Sequence, residues 1–110
     1  MDFNEYQQKA LRTAKRINYN LDLTHAAYGL AGEAGEFIDS VKKNQIYGQE
    51  INRENLLEEI GDIMWYAALA AEVLGCDLNE IASKNISKLQ ARYPEKYTDL
   101  LAAERRDKAV

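Results

Sequence analysis

Cysteine, proline and histidine are nearly absent from this chain of 110 residues, which holds one of each. The lone cysteine, Cys76, excludes an intramolecular disulfide and a metal cluster built from cysteine alone, as is typical of a reducing compartment. The lone histidine, His25, leaves little material for a zinc site or a histidine-based dyad, so we interpret it as structural or as a substrate contact rather than as a base. Apolar residues recur every three or four positions instead, which predicts helices almost throughout.

An excess of positive charge is also missing, because the net charge is −4. Binding to a nucleic-acid backbone requires clustered lysine and arginine, so we expect no nucleic-acid partner, although an acidic protein can bind phosphates through a metal. The longest apolar run, residues 63–71, is far shorter than the roughly 20 residues of a membrane span. Residues 1–5 carry no signal-peptide pattern. The expected location is therefore the cytoplasm, with no membrane partner.

No linker or low-complexity tract divides the chain, so residues 1–110 are expected to form a single domain. The predicted fold is all-α, an antiparallel bundle of four main helices plus a short C-terminal helix. The helices are predicted at residues 4–15, 22 or 24–43, 52–75, 77–93 and 98–104, followed by a frayed tail. Asn4 and Asn52 are the predicted caps of the first and third helices, residues 18–20 are predicted to break the first, and Gly75 and Pro94 to end the third and fourth.

Helices two and three repeat one local pattern, in which two acidic residues stand three positions apart with glycine directly before the second. The pairs are Glu33 with Glu36, and Glu59 with Asp62. Acids three positions apart lie about 60° apart around a helix, so both can reach one point. Each pair also flanks the apolar stripe of its helix. If the two stripes pack together, the four acids meet along one edge of the contact.

Four carboxylates on one edge would repel one another unless a cation lay among them, and hard oxygen donors favour Mg²⁺, Mn²⁺ or Ca²⁺. A solvated acidic helix face is the alternative, and the residues alone leave the two interpretations balanced. Gly35 and Gly61 each cost about 1 kcal/mol against alanine inside a helix. Their position beside the acids, repeated by Gly32, indicates a close helix approach or room for a ligand.

Three stretches, residues 29–36, 58–62 and 85–94, resemble the MazG-like family of all-α nucleoside triphosphate pyrophosphohydrolases, which is related to the dimeric dUTPases. Many members begin the first motif with a double glutamate, whereas Gly32 stands in that place here, so any role of the extra acid is either absent or taken by Glu58. The resemblance implies a homodimer or a homotetramer built as a dimer of dimers, which would relieve the thin core of a short chain. It also implies Mg²⁺, or alternatively Mn²⁺, held by Glu33, Glu36, Glu59 and Asp62.

Helix four carries Lys84, Lys88 and Arg92 at spacings of four, which places them along one face. The resemblance implies that Asn85, Lys88 and Arg92 bind the substrate, while a solvated basic face is the alternative. Second-rank candidates are Lys42 and Lys43 at the end of helix two. Two aromatic residues beyond the second acidic pair are interpreted as packing, with stacking on a base as the alternative; they are Trp65 and Tyr66.

The predicted function is Mg²⁺-dependent hydrolysis of a nucleoside or deoxynucleoside triphosphate to the monophosphate and pyrophosphate, in housecleaning or control of nucleotide pools. Glu36 or Glu59 is expected to accept the proton of the attacking water, and Lys88 to stabilise the departing pyrophosphate. The alternative is a catalytically silent module that binds a divalent metal or a nucleotide. A di-iron bundle is disfavoured because such bundles use Glu-x-x-His pairs, which this chain lacks.

Overall fold

A computed structural model of the chain describes residues 1–108, which form five α-helices and one short 3-10 helix and contain no strand. The all-α prediction is therefore confirmed. None of these helices is long and apolar enough to cross a membrane. The elements are α1 (Phe3–Leu11), α2 (Tyr19–Tyr47), α3 (Arg53–Val73), α4 (Leu78–Arg92), α5 (Asp99–Glu104) and the 3-10 helix Arg106–Lys108.

Capping side chains explain where the last three α-helices begin. Asn52, Asp77 and Thr98 each accept a hydrogen bond from the backbone N–H three residues further on, at the starts of α3, α4 and α5. The predicted starts of these helices are confirmed. Gly48 after α2 and Gly75 after α3 have φ angles of 69° and 73°, a left-handed conformation that glycine adopts without strain.

The predicted bounds of α1 are wrong at both ends. The cap is Asp2 rather than Asn4, because an Asp2 carboxylate oxygen accepts from the Glu5 N–H at 2.8 Å. The side chain of Asn4 instead accepts from the backbone N–H of Asn79 at 3.2 Å, a contact that attaches α1 to α4. The helix ends at Leu11, earlier than predicted.

The predicted start of α2, near Asp22, is also too late. Asn18 caps the helix by accepting from the Leu21 N–H at 2.9 Å, so α2 begins at Tyr19. Asp22 is buried within the first turn, where its carboxylate accepts from the Ile17 N–H at 2.8 Å. Residues 18–20, which were predicted to break the first helix, therefore also begin the second.

α2 and α3 form an antiparallel hairpin joined by residues 48–52. Near the connection, the Asn55 side chain donates to the Ser40 hydroxyl at 3.3 Å. At the far end, Ala26 packs with Leu69. Because the two helices run in opposite directions, higher residue numbers in α2 lie opposite lower residue numbers in α3. This places the acidic pair of one helix opposite that of the other.

The buried core is small and lies at the end of this hairpin that is remote from the connection, where Ala26, Leu69 and Val73 pack together. Trp65 attaches α1 to it, since its indole N–H lies 3.0 Å from both the Ala10 carbonyl oxygen and the Thr13 hydroxyl. Closer to the connection, the apolar stripes of both helices are partly exposed to solvent, as Ile38 of α2 and Ile60 of α3 show. The radius of gyration is 17.1 Å, against about 13 Å for a compact chain of this length.

Candidate active site

The hairpin brings three of the four predicted metal ligands together. Carboxylate oxygens of Glu33, Glu59 and Asp62 lie within 4.8 Å of one another. One oxygen of Glu33 and one of Glu59 are buried and accept no hydrogen bond from any residue of the described chain. Buried acceptors are usually hydrogen-bonded, so this pair is unusual. Hard, closely spaced and unpartnered oxygens are a donor set that fits a divalent cation.

The electrostatics of this cluster agree with its crowding. The pKa of Glu59 is raised from 4.5 to about 7, first by the neighbouring Glu33 carboxyl group, with which a proton would be shared, then by burial and by the negative charge of Glu36. A carboxyl group that retains its proton near neutral pH is expected where like charges meet away from water. The site therefore favours either a proton or a cation among its carboxylates.

Glu36 differs from the other three acids in its position. Like Asp62 it is exposed, but unlike Asp62 it lies outside the cluster of mutually close oxygens, although its carboxyl group and its charge still act on Glu59. Its place is thus the edge of the carboxylate cluster rather than its interior.

A cavity of about 320 Å³ adjoins the cluster and is lined by Glu33, Asp62, Trp65 and Tyr66. The two aromatic rings meet edge to face, with centroids 5.0 Å apart. His25 lies beside them, with its ring centroid 5.6 Å from that of Tyr66. Trp65 therefore both packs against the core and lines the cavity, and His25 packs against the aromatic wall.

The glycines beside the acids do not mark a close helix approach within this chain. A Cβ atom placed on Gly32, Gly35 or Gly61 would meet no described atom within 4 Å. That part of the sequence interpretation is wrong, and open space is what the structure has there. The close approach is at Gly29, where a Cβ atom would overlap the Tyr66 ring. Sequence reasoning missed it because only the register of the hairpin pairs these two positions.

Within residues 1–108, no hydrogen bond or salt bridge joins the predicted substrate residues of α4 to the clustered acids. Asn85 lines a separate, mainly apolar cavity of about 300 Å³ together with Met64 of α3. Lys84 pairs with Glu80 at 3.3 Å. Lys88 is exposed and makes no salt bridge to any residue between positions 1 and 108. The second-rank candidates at the end of α2 both pair with one carboxylate, at 3.5 and 2.9 Å; they are Lys42 and Lys43 with Asp39.

Arg92 forms a bidentate ion pair with Asp107, at 2.8 and 3.0 Å. The Asp107 side chain is fully buried, and Arg92 is 18% exposed. Hydrogen bonds from Arg92 and Arg105 hold the pKa of Asp107 well below its usual range. The prediction of a frayed tail is therefore wrong for Arg106–Lys108, which fold against α4; positions 109–110 lie outside the described residues.

The sequence model of the family described as the MazG nucleotide pyrophosphohydrolase domain matches residues 22–97 of this chain. The chain belongs to this family. The MazG match includes the four predicted acids and the predicted substrate residues of α4, whereas α1 and Asp107 lie outside it. The family predicted from the sequence is thus confirmed.

A phage protein is similar to this MazG domain. The Gene 37 protein of Mycobacterium phage L5 is 41% identical over 75 residues, which cover 64% of this chain and 65% of the relative. The chain thus spans about 65% of the length of that relative. No solved structure matches the chain.

Proposed function

We propose that this member of the MazG family hydrolyses a nucleoside or deoxynucleoside triphosphate to the monophosphate and pyrophosphate, with Mg²⁺ as its cofactor and Mn²⁺ as a substitute. The proposed setting is the nucleotide pool of the cytoplasm. The observation that carries the proposal is the cluster of Glu33, Glu59 and Asp62. It contains two buried oxygens that accept no hydrogen bond from any described residue, and two of its members, Glu33 and Asp62, line a cavity. A nucleoside triphosphate is strongly negative, so an acidic site would repel it unless the carboxylates held a cation.

The clustered carboxylates would hold the cation, with Glu36 at their edge. When bound, a divalent cation neutralises phosphate charge and lowers the pKa of a water molecule. Glu59 is enclosed among the acids, whereas Glu36 is open to solvent and is therefore the better-placed acceptor for the proton of the attacking water. Glu36 is thus proposed as a base at the edge of the site as well as a fourth ligand.

Charge that develops on the departing pyrophosphate requires a further cation. Lys88 is the residue we propose, because its ammonium group makes no salt bridge to any described residue, while Lys84 and Arg92 are paired with Glu80 and Asp107. Arg92 would have to leave Asp107 before it bound phosphate. Asn85 and Arg92 are therefore proposed as secondary substrate contacts.

The reaction is tested by incubating the purified protein and Mg²⁺ with canonical and modified nucleoside triphosphates, and identifying the products by anion-exchange chromatography. We expect a monophosphate and pyrophosphate in equal amounts. Release of orthophosphate and a diphosphate would indicate a different hydrolase. Nucleotide binding without release of any product would favour the alternative, a catalytically silent module that binds metal or nucleotide.

Mg²⁺ is expected to raise the thermal midpoint more at about pH 8 than at about pH 5.5. The pKa of Glu59 is raised from 4.5 to about 7, so the metal-free fold is favoured by protonation below this range and loses that stability as pH rises through it. At the lower pH, Mg²⁺ must displace the bound proton, which weakens its binding and its stabilising effect. Differential scanning fluorimetry with Mg²⁺ and with a chelator measures both shifts.

The matched control is the Glu33→Ala/Asp62→Ala variant, which should show no Mg²⁺ shift at either pH. An equal shift in the variant and the wild type would mean that the ion binds elsewhere. A shift that did not depend on pH would contradict the role of Glu59.

The active assembly is proposed to be a homodimer or a dimer of dimers. A single chain buries few apolar side chains, and its surface carries large ones such as Ile38, which is 66% exposed. With Phe37, Val41 and Ile46, Ile38 lines an apolar groove along the C-terminal half of α2. Exposed apolar faces of this kind are commonly covered by another subunit.

Ile38→Lys is expected to shift the protein toward the monomer mass of 12.5 kDa, because a charge would have to be buried in the proposed subunit contact. Light scattering coupled to size exclusion measures the mass. The control is Ile17→Lys, since Ile17 is 59% exposed but lies in the connection between α1 and α2. A wild-type protein that is monomeric at micromolar concentration would contradict the assembly.

A further inference from the structure

Of the glycines in α2, Gly29 is the one that a side chain of α3 approaches closely. A Cβ atom built on Gly29 would overlap the Cδ1, Cε1 and Cζ atoms of the Tyr66 ring, whereas one built on Gly32 would meet no described atom within 4 Å. Glycine inside a helix is less stable than alanine. At Gly29, and not at Gly32, the missing side chain has a defined steric role.

The Tyr66 ring cannot easily move away from such an overlap. It meets the Trp65 ring edge to face at 5.0 Å and the His25 ring edge to face at 5.6 Å. Trp65 is itself held by hydrogen bonds to the Ala10 carbonyl oxygen and the Thr13 hydroxyl. The side of the ring that remains open is the cavity it shares with Glu33 and Asp62. A side chain at Gly29 would therefore push the ring into this cavity.

We propose that Gly29 is a positioning residue for the substrate: it seats the Tyr66 ring against α2 and so sets the width of the cavity that takes the nucleoside. This inference rests on the proposed function. In that function the phosphates lie over the carboxylates, so the aromatic wall of the same cavity faces the uncharged part of the nucleotide. Planar bases stack on aromatic side chains. Gly29 acts through Tyr66 and does not itself contact the reacting atoms.

The experiment compares Gly29→Ala with Gly32→Ala, the same change one turn later in the same helix. Gly29→Ala is expected to raise KM by about ten- to a hundred-fold, the scale of losing one stacking contact between a base and an aromatic ring. It should change kcat less, because the carboxylates are untouched. The Mg²⁺-induced thermal shift should be retained, which a general loss of structure would not allow. Gly32→Ala should leave KM and kcat unchanged.

A double-mutant cycle with Tyr66→Ala tests whether the effect passes through the ring. Without the ring there is nothing to displace, so adding Gly29→Ala to Tyr66→Ala should change KM by less than about two-fold. An equal effect of Gly29→Ala in both backgrounds would overturn the proposal. If Gly29→Ala does not fold, the proposal still predicts that the Gly29→Ala/Tyr66→Ala variant folds and that Tyr66→Ala raises KM. Failure of either result would overturn the proposal.

Binding of a non-hydrolysable nucleoside triphosphate analogue, measured by calorimetry, separates this inference from the proposed function. If the wild type turns over and Gly29→Ala has the KM of Gly32→Ala, the role of Gly29 is refuted and the function stands. If the wild type binds the analogue without turnover, the function is refuted, and a Kd raised only in Gly29→Ala still supports the positioning role. If the wild type neither binds nor turns over, both fail.

Discussion

Glu59→Gln is expected to lower turnover by about a hundred-fold or more while the helices remain folded. Glutamine has nearly the shape of glutamate and can hydrogen-bond to Glu33, but it carries no charge with which to hold a cation. The pKa of Glu59 is raised to about 7, which means that the metal-free fold already favours a neutral group here. The variant should therefore be as stable as the metal-free wild type, or slightly more stable.

The measurement is kcat at saturating nucleotide and Mg²⁺, together with far-ultraviolet circular dichroism to monitor the helices. Glu58→Gln is the matched control, because Glu58 is exposed and is not one of the clustered acids. Glu36→Gln is also expected to lose turnover, but to keep more of the Mg²⁺ shift than Glu59→Gln, since Glu36 lies outside the cluster. If Glu59→Gln and Glu36→Gln both had a kcat near that of the wild type, the assignment of the site would be refuted.

Lys88→Ala is expected to depress kcat/KM by about ten- to a thousand-fold, on the scale of removing one electrostatic stabiliser. A cation placed for a departing pyrophosphate acts most strongly as charge develops, so the loss should fall on kcat more than on KM. The Mg²⁺ shift should survive, because Lys88 is not proposed as a metal ligand.

Lys84→Ala is the control for this prediction. Lys84 stands one turn earlier on α4 and is paired with Glu80 at 3.3 Å, so Lys84→Ala should change kcat/KM little. If Lys88→Ala retained full activity, the α4 face would be an ordinary solvated surface. The leaving-group role would then pass to a cation now held in an ion pair; the candidates are Arg92, Lys42 and Lys43.

Signals that act within one helical turn could be predicted from the sequence. The caps Asn52, Asp77 and Thr98 each accept from a backbone N–H three residues away, and the sequence predicted that α3, α4 and α5 begin at these residues. The spacing of the acids likewise indicated that each pair shares one helix face. The family also followed from short motifs.

Contacts between residues far apart in the chain were decided by the tertiary structure alone. Asn4 has the residue type of a cap, but it bonds to Asn79 across two helices. Asp107 looked like part of a charged tail, but its carboxylate is buried against Arg92. In both cases the residue type allowed several partners, and the packing of α1 and the C-terminal segment selected one of them.

The acids and the glycines show the same division within the site. The sequence by itself determined that Glu33, Glu59 and Asp62 lie on helix faces able to meet, because the helical repeat follows from local backbone geometry. The register of α2 against α3 decides which oxygens are buried together, which acid lies outside the cluster, and which glycine is approached by an aromatic ring. That register is a property of the packed hairpin, so only the tertiary structure decided it.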